Sequence, residues 1–427
     1  TGPVARKAKP PGCTRYWTGS AEGETTGLYA VPIHGGTRID LDTDIPAETW
    51  LEDIAISANN LQVVYTLDDR MVAPYNEVLW RVPLIGGTPL SLTPTASSLY
   101  GINIDFEITL DSSAIVYCLS SMYSVLYRTD MDGNDEILAE HDIGDFALTS
   151  DTVVFTQMYD DPNYAIKSIP IMGGTVTTLN GSMVAEGSVM DFQISPNGET
   201  VVYVADEIVD HQFELFSVPA VGGARVRLLS AIIASGDVGD FKILPNSQGV
   251  VYRADQLVDE RIDLGAVAIS GGTNYWLNGA MVENADVSGF GVTPNSLGVV
   301  FTADKNTNED YEIFIVSVTG ANLHRLNSDL PSLGDVMSFR IMPNNAGVVY
   351  LADMQANDVF NLYLVPTVGT PVPLRLNGQP VVGGDVTDFE ITSDSKGVVF
   401  RGDQETDEVF ELFSTFDRQA VYLPALM

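Results

Sequence analysis

One phrase of about 49 residues recurs along the chain, and no other feature narrows the possible folds as much. It opens on an Asp-Val-x-x-Phe strand. A Pro-Asn or Asp-Ser turn, a Gly-Val-Val-aromatic strand and an acidic loop follow. A Glu-Leu-Phe-x-Val-Pro strand, a Gly-Gly turn and a short last strand, often ending Leu-Asn, complete it. The segment from Ser188 to Leu229 shows nearly all of it. The aromatics of the second strand index the copies: Trp17, Tyr65, Tyr117, Phe155, Tyr203, Tyr252, Phe301, Tyr350 and Phe400. All the intervals but one lie within three residues of 49. The exception, Tyr117 to Phe155, reflects trimmed loops in the third copy.

Each copy reads as four short strands with turn chemistry between them. In the seventh copy they are expected near Val287–Thr293, Gly298–Ala303, Glu312–Val318 and Asn322–Leu326. Gly-Gly pairs such as Gly222-Gly223 supply the left-handed residues a tight hairpin needs. A proline at the end of the third strand (Pro83, Pro170, Pro219, Pro366) suits a terminus with no donor to spare. Four antiparallel strands every 40 to 50 residues predict a β-propeller blade, whose Val-Val-Tyr triplets pack between neighbouring sheets. The predicted fold is therefore all-β, a single propeller domain over residues 1–427. Its repeats run 1–48, 49–100, 101–141, 142–187, 188–236, 237–285, 286–334, 335–384 and 385–427. That makes nine blades, or eight and a degraded first copy, because Arg6-Lys7-Ala8-Lys9 makes a poor first strand.

The units resemble the TolB-type, WD40-like propeller repeats, whose consensus runs Phe-Ser-Pro-Asp-Gly into an apolar strand ending in an acid. The matching stretches are Ile194-Ser195-Pro196-Asn197-Gly198, Val292-Thr293-Pro294-Asn295-Ser296 and Ile391-Thr392-Ser393-Asp394-Ser395. The resemblance implies the fold and says almost nothing of function. In peptidase relatives of such propellers a separate hydrolase domain does the chemistry.

With 21 basic residues against 57 acidic ones, the formal net charge is −36, which argues against nucleic acid as a partner. Apolar runs such as Ala266–Ile269 are far too short to span a bilayer, so no transmembrane segment is expected. The chain begins at Thr1 rather than Met, which reads as a processed, exported protein, extracellular or periplasmic. Cys13 and Cys118 fall in non-adjacent copies and are expected as free thiols.

Catalytic constellations are missing: no Gly-x-Ser-x-Gly elbow, no His-Glu-x-x-His, no phosphate loop. The four histidines fall at unrelated places in the repeat. The expectation is a non-enzymatic protein. A hydrolase or lyase with an unrecognised carboxylate pair is the third reading, behind the two below.

Three patterns carry candidate sites. In the loop between second and third strands, Asp304, Asn306, Asn308 and Asp310 place oxygen donors at alternate positions, echoed by Asp403, Glu405 and Asp407. Such spacing resembles the start of a calcium loop, although Glu309 and Ile315 stand where an EF-hand needs Gly and Glu. Calcium is the candidate cofactor, against a solvated acidic turn that keeps the protein soluble. The first 21 residues carry Arg6, Lys7, Lys9 and Arg15 and no acid. A basic arm on an acidic body predicts a structural scaffold that self-associates head to tail, into filaments. The alternative is a binding module for a glycan or partner protein. Finally, Asn180-Gly181-Ser182 is the one glycosylation sequon, expected in a loop after a fourth strand. Acids before the first-strand Phe (Asp105, Asp145, Asp191, Asp240, Asp388) are expected to bond a neighbouring blade or to ring a channel mouth.

Overall fold

A computed structural model describes residues 27–31, 36–43, 45, 49–69, 77–93, 103–120, 123–159, 163–229, 233 and 235–415. These residues form β-strands and no helix. Seven sheets have four antiparallel strands, spanning 49–91, 103–139, 143–178, 189–227, 238–276, 287–325 and 336–375. Two more sheets are partly described: two strands within 28–42 and three within 386–414. The strands of each four-stranded sheet pair in sequence order, the meander of a propeller blade. Blades are numbered below by copy, so that 287–325 is blade seven.

Blade seven has strands Val287–Val292, Gly298–Ala303, Glu312–Ser317 and His324–Arg325, within a residue or two of the expected ones. The end of the last copy, residues 416–427, lies outside the described residues, as does most of the first copy. The chain divides into two compact units, residues 1–189 with 218–224 and residues 190–217 with 225–427.

The second strand explains the packing. Strand side chains alternate between faces, and this strand is covered on both. In the second unit, Val299 and Phe301 join the cluster that holds Val251 and Leu264 of blade six. Val300 joins the one that holds Val348 and Tyr350 of blade eight. All three residues of the Val-Val-Phe triplet are fully buried. Each such side chain contributes about 1.5–3 kcal/mol, so the repeated triplets supply much of the core. In the first unit, Val64 packs with Ile115 and Tyr117 in the same way.

Opposite the index aromatic, the third strand usually presents another ring. Phe301 faces Phe314, Tyr350 faces Tyr363 and Phe400 faces Phe413, stacked at 5.3, 5.6 and 5.5 Å. Blade six differs, because Gly265 stands opposite Tyr252. The tyrosine ring leans over the glycine and meets Trp276 of the fourth strand edge-on at 6.4 Å. The Gly-Gly turns have the expected left-handed backbone, with φ of 90° at Gly222 and 144° at Gly223.

Candidate functional site

In blades seven, eight and nine the acidic loop is built on one aspartate just after the second strand. Asp304 is buried, and both of its carboxylate oxygens accept backbone N–H groups: Oδ1 from Asp286 at 2.6 Å, Oδ2 from Glu309 at 2.9 Å. Asp353 does the same with Asp335 and Asp358, and Asp403 with Asp385 and Glu408. The far donors, Glu309, Asp358 and Glu408, all have φ near +60 to +70°, a backbone that non-glycine residues seldom adopt. The loop is wrapped around its first aspartate.

That aspartate belongs to a relay between blades. Asp286, whose N–H it binds, in turn accepts the N–H of Ile262 in blade six at 2.7 Å. Asp237, Asp335 and Asp385 accept from Phe213, Tyr311 and Phe360 of the preceding blades at 2.7–2.8 Å. Each Asp-Val at the start of a repeat therefore links the third strand of one blade to the loop of the next. Burial pushes the Asp335 and Asp385 carboxyls above the usual aspartate range, assisted by the neighbouring Asp353 and Asp403 charges. At Asp403 burial also acts upward, but the backbone N–H groups of Asp385 and Glu408 outweigh it and hold the carboxyl below that range.

The other expected calcium ligands are exposed or half-buried. Asn306 donates to Oε2 of Glu312, and the N–H of Asp310 turns back to Thr307 O at 3.2 Å. Among the described residues, the three acidic or histidine side chains whose ligand atoms lie within 4.8 Å of one another are Asp206, Asp210 and His211. They occupy the same loop in blade five; Asp403, Glu405 and Asp407 are not gathered in that way. Beneath that loop, Tyr203 donates to Glu207 at 2.6 Å, Glu207 pairs with Arg225 at 2.7 Å, and Glu214 pairs with Arg227. Burial raises the Glu214 carboxyl, against the opposing pull of Arg227.

Asn180 serves the fold. Its Oδ1 accepts the N–H of Ile166 at 3.0 Å and its Nδ2 donates to Gly181 O at 2.9 Å. Asn278, Asn327 and Asn377 repeat the bond at the same place in later blades. Arg6, Lys7, Lys9 and Cys13 lie outside the described residues. Cys118 is a buried free thiol. The first-strand acids are not uniform in role: Asp240 pairs with Arg253 of its own blade at 2.6 Å, and Asp388 accepts the N–H of Phe389. In blades six and nine a bond to the preceding blade is made by the aspartate three residues earlier, Asp237 and Asp385.

A depression of about 770 Å³, broadly open to solvent, runs in the second unit over the first strands of blades six, seven and eight. Immediately after the first-strand Phe of blades five, six and eight, a long polar side chain reaches forward to a later blade. Gln193 donates to Phe241 O at 2.8 Å, Lys242 to Phe290 O at 2.9 Å, and Arg340 to Phe389 O at 3.1 Å. In blade seven the residue at this position is Gly291, which makes no such clasp and lines the depression. None of the three sequence patterns points to this site, although a signal is present: VSGFGV in blade seven against VMDFQI, VGDFKI and VMSFRI.

No family profile and no curated protein matches the chain. Solved structures do. A eukaryotic initiation factor is similar with a TM-score of 0.54 at 11% identity, over 83% of this chain and 84% of that one. A putative TolB from Agrobacterium tumefaciens has a TM-score of 0.32 at 16% identity, over 56% and 84%. Oligogalacturonate lyase from Vibrio parahaemolyticus has 0.43 at 12%, over 84% and 98%. At these identities the likeness concerns the fold alone.

Proposed function

We propose that this chain is a non-catalytic binding propeller that takes a ligand on the first strands of blades six to eight. The observation that carries the reading is the missing clasp at Gly291, which lies between the bridged blades six and eight and lines an open depression of about 770 Å³. The recurrent aspartates support the non-catalytic part, since Asp304, Asp353 and Asp403 spend both oxygens on backbone N–H groups. The test is a ligand-observed NMR screen of small carbohydrates, peptides and organic acids against the full chain and its Gly291→Gln variant. Compounds that bind the first and not the second support the reading. A screen with no such compound, or turnover lost on neutralising one acid pair, would replace it.

A second reading rests on charge. Four of 21 basic residues lie within residues 1–21, which hold no acid, while the whole chain carries 57 acids. This favours a scaffold that self-associates through Arg6, Lys7 and Lys9, with calcium drawn to the outer members of the acidic loops. Light scattering after gel filtration, in calcium and then in chelator, tests both parts. Large particles lost on deleting residues 1–12 support assembly, and their collapse in chelator supports the ion. A monomer indifferent to both leaves the binding reading alone.

A further inference from the structure

The notch at Gly291 has a chemical character that narrows its ligand, given the binding reading above, on which this inference rests. With 57 acids in 427 residues, fourteen lining residues would hold about two by composition; these hold none, and they include Lys242 and Arg340. The reason is local. The acid that precedes the first-strand Phe at positions 105, 145, 191, 240 and 388 is replaced by Gly289 in blade seven and Ser338 in blade eight. Two of the three blades that wall the depression have lost it; blade six keeps Asp240. Nearby acids are already matched: Asp240 by Arg253, Glu390 by Arg340 at 2.7 Å. Lys242 makes no ion pair among the described residues, and its ammonium rests against Phe290 O and, at 5.1 Å, the Phe290 ring.

Hydroxyls and rings complete the lining. Ser288 and Thr302 share a hydrogen bond of 2.8 Å, and Ser338 stands on the next first strand. A Cβ at Gly291 would stand 3.2 Å from Ile341 Cδ1 and 3.3 Å from the Phe339 ring, so both side chains pack directly over the glycine. In blades six, seven and nine the first-strand Phe carbonyl receives the clasp; at Phe339 the residue that would donate it is Gly291.

We propose that the notch binds a carboxylate-bearing, hydroxyl-rich ligand of monosaccharide size. Its carboxylate is held by the Lys242 ammonium, and its hydroxyls bond Ser288, Ser338 and the Phe339 carbonyl in place of the missing side chain. Its apolar face rests on the Phe339 ring. A charge-assisted hydrogen bond supplies the discrimination against neutral analogues.

The test is calorimetric titration of the full chain at low ionic strength with sodium glucuronate, and with glucose as its neutral counterpart. Lys242→Gln removes the charge and keeps the clasp, because Gln193 fills the same role one blade earlier. Saturable glucuronate binding is expected, about tenfold weaker or more in Lys242→Gln, abolished in Gly291→Gln, with no saturation by glucose. Glucuronate binding that survives both substitutions, equal binding of glucose, or no saturable heat overturns the proposal. Failure of the broader reading looks different. A Gly291-dependent response to glucose alone overturns the carboxylate and keeps the binding site, whereas no Gly291-dependent ligand in the NMR screen removes both.

Discussion

At the scale of single residues, the side chains that look most like ligands are those that hold the backbone. Asp304, itself buried at the base of an exposed loop, joins two N–H donors from separate segments, Asp286 and Glu309. Each buried donor left without an acceptor costs about 1–3 kcal/mol. Asp304→Ala is therefore expected to lower the unfolding free energy by about 2–4 kcal/mol, and Asp304→Asn, which keeps one acceptor, by less. Urea titration of both variants checks the order. A loss below about 0.5 kcal/mol, the level of an ordinary surface change, would refute this role. Gly265 makes a second test. A methyl group there would stand 2.5 Å from the Tyr252 hydroxyl, so Gly265→Ala must push the ring out of its place over the third strand. Overpacking of this kind costs about 1–3 kcal/mol, and the same titration reads it.

At the scale of elements, the repeat start Asp-Val couples each blade to the one before it. The charge on this aspartate opposes the fold, because burial and the neighbouring acid raise the folded carboxyl of Asp385 above its unfolded value. A group of that sign gives stability that is complete below the unfolded pKa and lost as pH rises through the folded one. Asp385→Asn keeps an acceptor for Phe360 N–H and cannot ionise, so it is expected to be more stable than the parent at pH 7 and equal to it near pH 3. Asp403 has the opposite sign: its lowered carboxyl stabilises above the unfolded pKa, and that contribution disappears as pH falls through the folded one. Denaturation at several pH values for Asp385→Asn and Asp403→Asn should give curves that diverge in opposite directions. Parallel curves would show that neither carboxyl is perturbed.

For the whole molecule, the net charge of −36 is the strongest long-range influence. Self-repulsion of that size destabilises a compact state and is screened within about 10 Å at 0.1 M salt. The melting temperature is expected to rise by several degrees between 10 mM and 500 mM sodium chloride, a change a thermal scan detects directly. Lower stability at high salt would mean that the ion pairs, such as Glu207–Arg225 and Glu214–Arg227, outweigh the repulsion. Against this acidic background, a depression lined by Lys242 and Arg340 and no acid is a local reversal.

The fold was legible because its cause is local and repeated. Alternation, Val-Val-aromatic triplets and Gly-Gly turns specify four strands and their register before any blade meets another. The strands of blade seven lie within a residue or two of their expected positions for that reason. The candidate site was not legible, since its determinants are side chains that pair across blades. Asp286 finds Ile262, 24 residues upstream, and Lys242 finds Phe290 O, 48 residues downstream. An acidic loop and an ion-binding loop are written with the same letters; which one forms depends on where the backbone N–H groups point. Gly291 looks like one more flexible residue until its neighbours show what a side chain there would have bridged. The sequence by itself determined the repeat, the strands and the charge, because these follow from spacing and composition. Only the tertiary structure decided which acids are consumed and where a space is left open, because both depend on contacts between residues of different blades.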